Sequence, residues 1–349
     1  MNLEIYLKQQ LKKHPSMSPQ DIVKLCYQAV FGAEHLLKDP EWARAYLYEE
    51  MSNVSAEDGE LYEEISSGTI RVNLRVWKSK GFPTDWLFNM FTCSFRKSTR
   101  EKEDFLSVIK EAERLIFQEE VSFSVPEWDE YIKEYLKNGI RAVSHSEKYR
   151  LAERPSYRIV DSSFIRIFPI LEKANEAREK KGPVVIALDG RAASGKTTLS
   201  ELLSVVTCAD VIHMDDFFVP PELRSEKRFG TPGENIHHER FSMEVLPFIS
   251  DEKPFSYRIF DCSKMDYNGK REITNKAFRI VEGSYSCHPV FGKYADVTAF
   301  SDVSYEEQLR RIRSRNGERL LQMFVDRWIP SEEEYFKAFE IQKKADMTV

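Results

Sequence analysis

Cysteine is scarce and scattered. The chain of 349 residues holds five (Cys26, Cys93, Cys208, Cys262 and Cys287), with no C-x-x-C pair among them. That spacing excludes a disulfide framework and a cysteine zinc site, and it suits free thiols in a reducing compartment. Long apolar runs are missing too. No stretch approaches the roughly 20 residues that cross a bilayer, and the opening "MNLEIYLKQQLKKHP" lacks the apolar centre of a signal peptide. Positive charge is not in excess: 51 Lys and Arg against 57 Asp and Glu leave a net charge of -6. This argues against a general nucleic-acid or membrane-surface role. Repeats and low-complexity tracts are absent. A cytoplasmic protein without nucleic-acid or membrane partners is expected, long enough for two domains.

What is present concentrates after residue 183. "VVIALDGRAASGKTTLS" (Val184 to Ser200) begins with an apolar run that reads as a buried strand, bounded by Gly182-Pro183 and Asp189-Gly190. From Thr197 the spacing of Leu199, Leu202 and Leu203 is helical. The join fits G-x-x-x-x-G-K-[ST]. Gly190 and Gly195 let successive N–H groups turn inward on phosphate, with Ala193, Ser194 and Thr198 in the same cradle. The helix that follows adds its positive end. Lys196 would reach the β- and γ-phosphates and Thr197 would ligate magnesium, so ATP and Mg2+ are the expected cofactors.

Strands expected at 183–188, 209–213, 278–282 and 296–300 alternate with helices expected at 196–205, 239–247, 304–315, 317–327 and 331–342. Such alternation implies a parallel sheet with ligands gathered at its carboxyl edge. "VIHMDDFFVP" places Asp215 and Asp216 at that edge, with Phe217 and Phe218 as walls. A carboxylate there can take the proton of an attacking hydroxyl, hold magnesium, or merely cap a helix. Glu282, in "RIVEGSYS", is a second carboxylate for magnesium or substrate. "PFSYRIFDCSKMDY" offers Tyr257 and Asp261 to a small polar substrate with a flat part. "SYEEQLRRIRSRNGER" carries Arg310, Arg311, Arg313, Arg315 and Arg319, from which a closing lid could neutralise phosphoryl charge.

Residues 1–155 read as a mainly helical domain. Ser18, Pro19 and Asp21 start a helix, and further helices are expected at 40–52, 83–97, 101–119 and 126–138. "TIRVNLRVW" (Thr69 to Trp77) alternates like a short strand. Gly32 would end the helix before it, and Glu34 beside His35 could form a polar site. Residues 156–182 read as a linker helix. Substrate binding, a partner, or a second copy of the chain in a homodimer remain open roles for this half.

Seven pieces in order, "GRAASGKTT", "MDDFF", "GTPGENIHHERF", "SYRIFDCS", "VEGSYS" and "EEQLRRIRSRNGER" followed by "RWIPSEEEYF", resemble the uridine kinase and phosphoribulokinase branch of P-loop kinases, closest to uridine kinase-like proteins. The resemblance implies an α/β P-loop kinase domain over 183–349, with a parallel sheet flanked by helices. It implies transfer of a γ-phosphoryl group from ATP to a small-molecule hydroxyl, a nucleoside being the first expectation. Asp215 then stands at the general base, Glu282 at a magnesium-placing glutamate, Tyr257 at a substrate tyrosine, and Arg311 and Arg315 among the lid arginines. Asp216 replaces a serine or other small residue, and "DCSK" replaces an H-S-R element that helps read the nucleoside. A non-nucleoside acceptor and a nucleotide-dependent regulatory ATPase are the alternatives. "NKAF" (Asn275 to Phe278) lacks the aspartate of a guanine-reading motif.

Overall fold

Residues 4–33, 36–37, 39–95, 101–118, 121–179 and 182–349 are described by a computed structural model. The chain divides into two units, Met1–Ile165 and Arg166–Val349. Glu34 and His35 lie outside the described residues.

Unit one begins with α1 (Glu4–Lys13), α2 (Pro19–Phe31) and α3 (Pro40–Asn53). The expected start of α2 is observed: the Asp21 carboxylate accepts the Ser18 N–H at 3.0 Å with Pro19 inside the first turn, and Gly32 ends the helix at φ 60°. Next come β1 (Tyr62–Ser66), β2 (Thr69–Asn73), α4 (Leu74–Ser79), α5 (Thr84–Phe95), α6 (Lys102–Ile116), α7 (Val125–Lys137) and α8 (Glu147–Glu153). The alternation read through Trp77 stops at Asn73, whose side chain accepts the Arg75 and Val76 N–H groups and starts α4. The expected linker helix is also corrected. Its first part is β3 (Tyr157–Asp161), which joins β1 and β2 in an antiparallel sheet of order β1-β2-β3. Helix returns only at α9 (Phe168–Glu176). A strand that completes a sheet begun some ninety residues earlier has no local signature.

Unit two is built on a parallel sheet of order β10-β9-β4-β8-β5. Its strands are β4 (Val184–Gly190), β5 (Asp210–His213), β8 (Phe278–Glu282), β9 (Val297–Ser301) and the short edge strand β10 (Met347–Thr348). All pairings are parallel. β4 is buried along its length, as a central parallel strand covered on both faces requires. Each such Val, Ile or Leu contributes about 1.5–3 kcal/mol by leaving water. α10 (Lys196–Thr207) packs on β4, β5 and β8, and α9 packs on β9. A two-stranded antiparallel arm, β6 (Phe255–Asp261) with β7 (Asp266–Ile273), stands outside this sheet. Short α11 (Glu226–Phe229) and α12 (His238–Glu244) precede the arm, and α13 (Tyr305–Met323), α14 (Ile329–Phe339) and α15 (Ile341–Lys344) lie between β9 and β10. Among the described residues no helix is long and apolar enough to cross a membrane.

Candidate active site

The sheet order decides where the chemistry gathers. β8 lies between β4 and β5, so its last residue, Glu282, is opposite Leu188 on one side and His213 on the other. The loop after β4 and the turn after β5 therefore leave the sheet beside Glu282. The turn Met214–Phe217 is a 3-10 helix, which aims Asp215 one way and Asp216 another.

The loop has the expected strand–turn–helix form. Gly190 has φ 136°, and an added Cβ would come 2.1 Å from the Ser301 carbonyl oxygen. Ala193 and Gly195 also take positive φ, at 56° and 102°. Lys196 is buried and donates to the carbonyls of Gly190 and Arg191 at 2.7 and 2.8 Å. Thr197 Oγ1 donates to Glu282 Oε2 at 3.4 Å, and the other Glu282 oxygen is 2.6 Å from His213 Nδ1. Ala193, Gly195, Lys196, Thr197, Thr198, Asp215, Glu282, Arg311 and Arg315 all line one cavity of about 1160 Å³. Ser194 is buried behind it.

Asp215 opens into that cavity. The protein packed around its carboxyl, and then the negative charge of Glu282, push its pKa up; Lys196 and His213 hold it partly down. A carboxylate whose proton affinity is raised in this way is a better acceptor of a hydroxyl proton.

Arg311 donates from Nη1 to the Ala193 and Ser194 carbonyls at 3.2 and 3.3 Å, and from Nε to Glu307 at 2.7 Å. Arg315 donates to Asn316 at 2.8 Å. Gly317, at φ 76° and ψ 171°, breaks the helix just beyond them. The two helices expected on either side of residue 316 are thus real pieces of α13.

Four expected site residues are placed elsewhere. Asp216 is buried, and its Oδ2 accepts from Tyr257 Oη at 2.9 Å and from Arg271 Nε at 3.0 Å. Its backbone oxygen accepts from Arg240. This engagement with the hairpin arm takes it out of the set lining the cavity. Phe217 is fully buried against Phe241 and Tyr257, and Phe218 lines the cavity instead. Tyr257 is buried with its hydroxyl spent on Asp216 and the His213 N–H. Asp261 caps the hairpin turn through Ser263 at 2.6 Å and is absent from the cavity lining.

Residues without an expected role support the loop. Glu332, at the start of α14, is buried and accepts from the Ala192 N–H at 2.9 Å and from Ser284 Oγ at 2.8 Å. Burial raises its pKa, Lys196 lowering it in part. Gln308 donates to the Ala192 carbonyl at 3.0 Å. Buried Asp189 accepts from the N–H groups of Gly190, Tyr285 and Cys287 and from Tyr335 Oη, which pins the end of β4. Three consecutive glutamates, Glu332 to Glu334, conceal in sequence which of them turns inward.

Among the described residues no group of three or more His, Cys, Asp or Glu is placed to hold a metal. Thr197 and Glu282 offer two hard oxygen donors side by side. This fits magnesium, which takes few protein ligands and fills its remaining positions with water and phosphate oxygens.

No protein-family model matches the chain, and no curated protein matches it. Solved structures do. One, described as a "possible uridine kinase" from Bacillus stearothermophilus, is 18% identical with a TM-score of 0.39, over 52% of this chain and 99% of that one. Another, described as a "putative fructose transport system kinase" from Silicibacter sp. TM1040, is 20% identical with a TM-score of 0.42, over 51% of this chain and 96% of that one.

Proposed function

We propose that the chain is an ATP-dependent kinase that phosphorylates a hydroxyl of a small molecule. The observation that carries this reading is the convergence of Lys196, Thr197, Asp215, Glu282, Arg311 and Arg315 on one cavity at the carboxyl edge of a parallel sheet. A motor or switch also needs the loop, a magnesium carboxylate and a group that orients the attacking water; dependence of ADP release on an acceptor is what separates it from a kinase.

Asp215 accepts the hydroxyl proton as the acceptor oxygen bonds to the γ-phosphorus, and the bond to the bridging oxygen breaks to leave ADP. Lys196 and the loop N–H groups neutralise the β- and γ-phosphates. Arg311 and Arg315 balance charge on the group in transit. Thr197 and Glu282 would hold magnesium, which screens the phosphate oxygens when bound. The protein's part is positioning and charge balance, which such a transfer mainly requires.

A nucleoside is the first acceptor to try, from the uridine kinase-like motifs. A second reading, a non-nucleoside acceptor, is favoured by the make-up of the cavity lining. Arg224, Cys262 and Met265 line the cavity, while Tyr257 and Asp261 do not. The free cysteines support a cytoplasmic setting. The deciding experiment follows ADP release from purified protein with Mg-ATP and a panel of nucleosides, sugars, hydroxy acids and simple alcohols. ADP that depends on one acceptor class supports the kinase and names its substrate. ADP released equally with every acceptor and with none makes it a regulatory ATPase.

A further inference from the structure

Arg166 closes the 3-10 turn Ser162–Ile167 and is the first residue of unit two. Its guanidinium packs against the phosphate loop, and Arg166 is not among the residues lining the cavity. A Cβ added to Gly195 would come 3.1 Å from Nη1, and Nη2 is 3.4 Å from the Ser194 carbonyl oxygen. Arg311 approaches the same oxygen from α13 at 3.3 Å. Two guanidinium groups therefore converge on one backbone carbonyl.

Their circumstances differ. Arg311 has Glu307 as a counter-charge. Arg166 has no ion pair with any described carboxylate, and its one hydrogen bond, to Ser194, is at the long, weak end of the range. Burial, then the like charge of Arg311, lowers its pKa. Half-buried, unpaired positive charge beside positive charge is costly, and an anion nearby would relieve it. The same loop is where the Proposed function puts a polyphosphate.

We propose that Arg166 is a nucleotide-positioning residue: its charge acts through Gly195 on the polyphosphate held by the loop and, with Arg311, raises affinity for the nucleotide. It comes from outside the strand–loop–helix motif, so nothing in the motif announces it. The inference rests on the reading of 190–197 as a nucleotide site.

The test compares Arg166→Met, which keeps length and loses charge, with Arg166→Lys in the full chain. Calorimetry with Mg-ATP, tripolyphosphate and adenosine gives affinities, steady-state rates give KM and kcat, and melting without nucleotide reports the fold. Arg166→Met should weaken ATP and tripolyphosphate about tenfold, an effect that shrinks as salt rises. Adenosine binding and kcat should stay as in the parent, melting without nucleotide should be no lower than the parent's because the costly charge is gone, and Arg166→Lys should restore most of the affinity. If Met and Lys weaken ATP alike, or if adenosine loses as much as ATP, the charge role is overturned. Lys196→Met is the control. Lost ATP binding there with none lost in Arg166→Met sinks this inference alone, whereas unchanged ATP binding in Lys196→Met sinks the loop reading and this inference with it.

Discussion

Thr197 Oγ1 and Glu282 Oε2 are 3.4 Å apart, at the head of α10 and the end of β8. No other carboxylate among those expected to ligate magnesium is paired with the loop hydroxyl. Asp216 was the third expected ligand, yet it is bound to Tyr257 and Arg271. Thr197→Ala and Glu282→Gln should each raise the magnesium concentration for half-maximal ADP release by about tenfold or more. Asp216→Asn should leave that concentration unchanged and lower the melting temperature modestly, since it weakens a partly buried charge pair with Arg271. A magnesium requirement shifted by Asp216→Asn as strongly as by Glu282→Gln would return Asp216 to the metal.

The raised proton affinity of Asp215 has a definite sign in kinetics. A general base works ionised, so activity falls as pH drops through its pKa. That acid limb should lie above the ordinary carboxylate range because the protein packed around the carboxyl, and then Glu282, disfavour its charge. Glu282→Gln removes the negative neighbour and should move the limb of the residual activity to lower pH. Asp215→Asn should cost about 10²–10⁴-fold in kcat with melting unchanged. The check is kcat/KM for the acceptor against pH; a limb at the usual carboxylate value in both proteins would refute the assignment.

The loop, the four main strands and the placement of Asp215 and Glu282 were legible because local pattern and sheet topology agree there. An apolar run, a glycine with positive φ and a helical stripe are each local. The failures share one cause. Asp216 and Asp215 are neighbours in a 3-10 turn that splays them, and Tyr257 is a substrate residue by motif but a core residue by contact. Nothing in a single sequence says which face of a short turn meets a hairpin forty residues later. β3, Glu332 and Arg166 were missed for the same reason: each acts on a partner far along the chain.

Unit one carries its own titration. His145 is buried, with Nδ1 2.9 Å from Asp21 and Nε2 2.5 Å from the Tyr157 hydroxyl. Burial lowers its pKa from 6.5 to about 4 despite the Asp21 hydrogen bond, which opposes the shift. The folded state therefore holds His145 neutral while the unfolded chain takes up a proton below pH 6.5. Its contribution is complete above pH 6.5 and is lost as pH falls to about 4. The full loss is of order 3 kcal/mol. His14 works the other way: against burial, Glu63 and Glu153 raise its pKa. A variant is needed to separate the two. Four of the five tryptophans, Trp42, Trp77, Trp86 and Trp128, lie in unit one, so denaturant unfolding of the full chain by fluorescence reports on it. His145→Asn should be less stable at pH 7 and lose much less stability between pH 7 and 5 than the parent. Equal losses would show that His145 does not set the acid sensitivity.

Two glycines with positive φ should respond to alanine to very different degrees. At Gly190 a Cβ would meet the Ser301 backbone at 2.1 Å, in the tight approach of β4 to β9. Backbone on both sides cannot yield, so Gly190→Ala should destroy nucleotide binding and destabilise the sheet by several kcal/mol, about the scale of strained or overpacked core sites. At Gly317 nothing lies within 4 Å of an added Cβ. The obstacle there is conformational alone, because φ 76° with ψ 171° belongs to glycine. Alanine can escape by taking ordinary helical angles and straightening α13, which would gain about 0.5–1 kcal/mol of helix propensity. That move would swing the chain after Gly317, parting Leu321 and Ile329 from Ile312 across the kink and shifting Glu332, which accepts the Ala192 N–H of the loop. Gly317→Ala should therefore melt only a little below the parent while kcat falls several-fold. Melting curves and single-turnover rates on the same preparations check it. If turnover stays at the parental rate in a Gly317→Ala protein of unchanged stability, the kink takes no part in seating Glu332 on the loop.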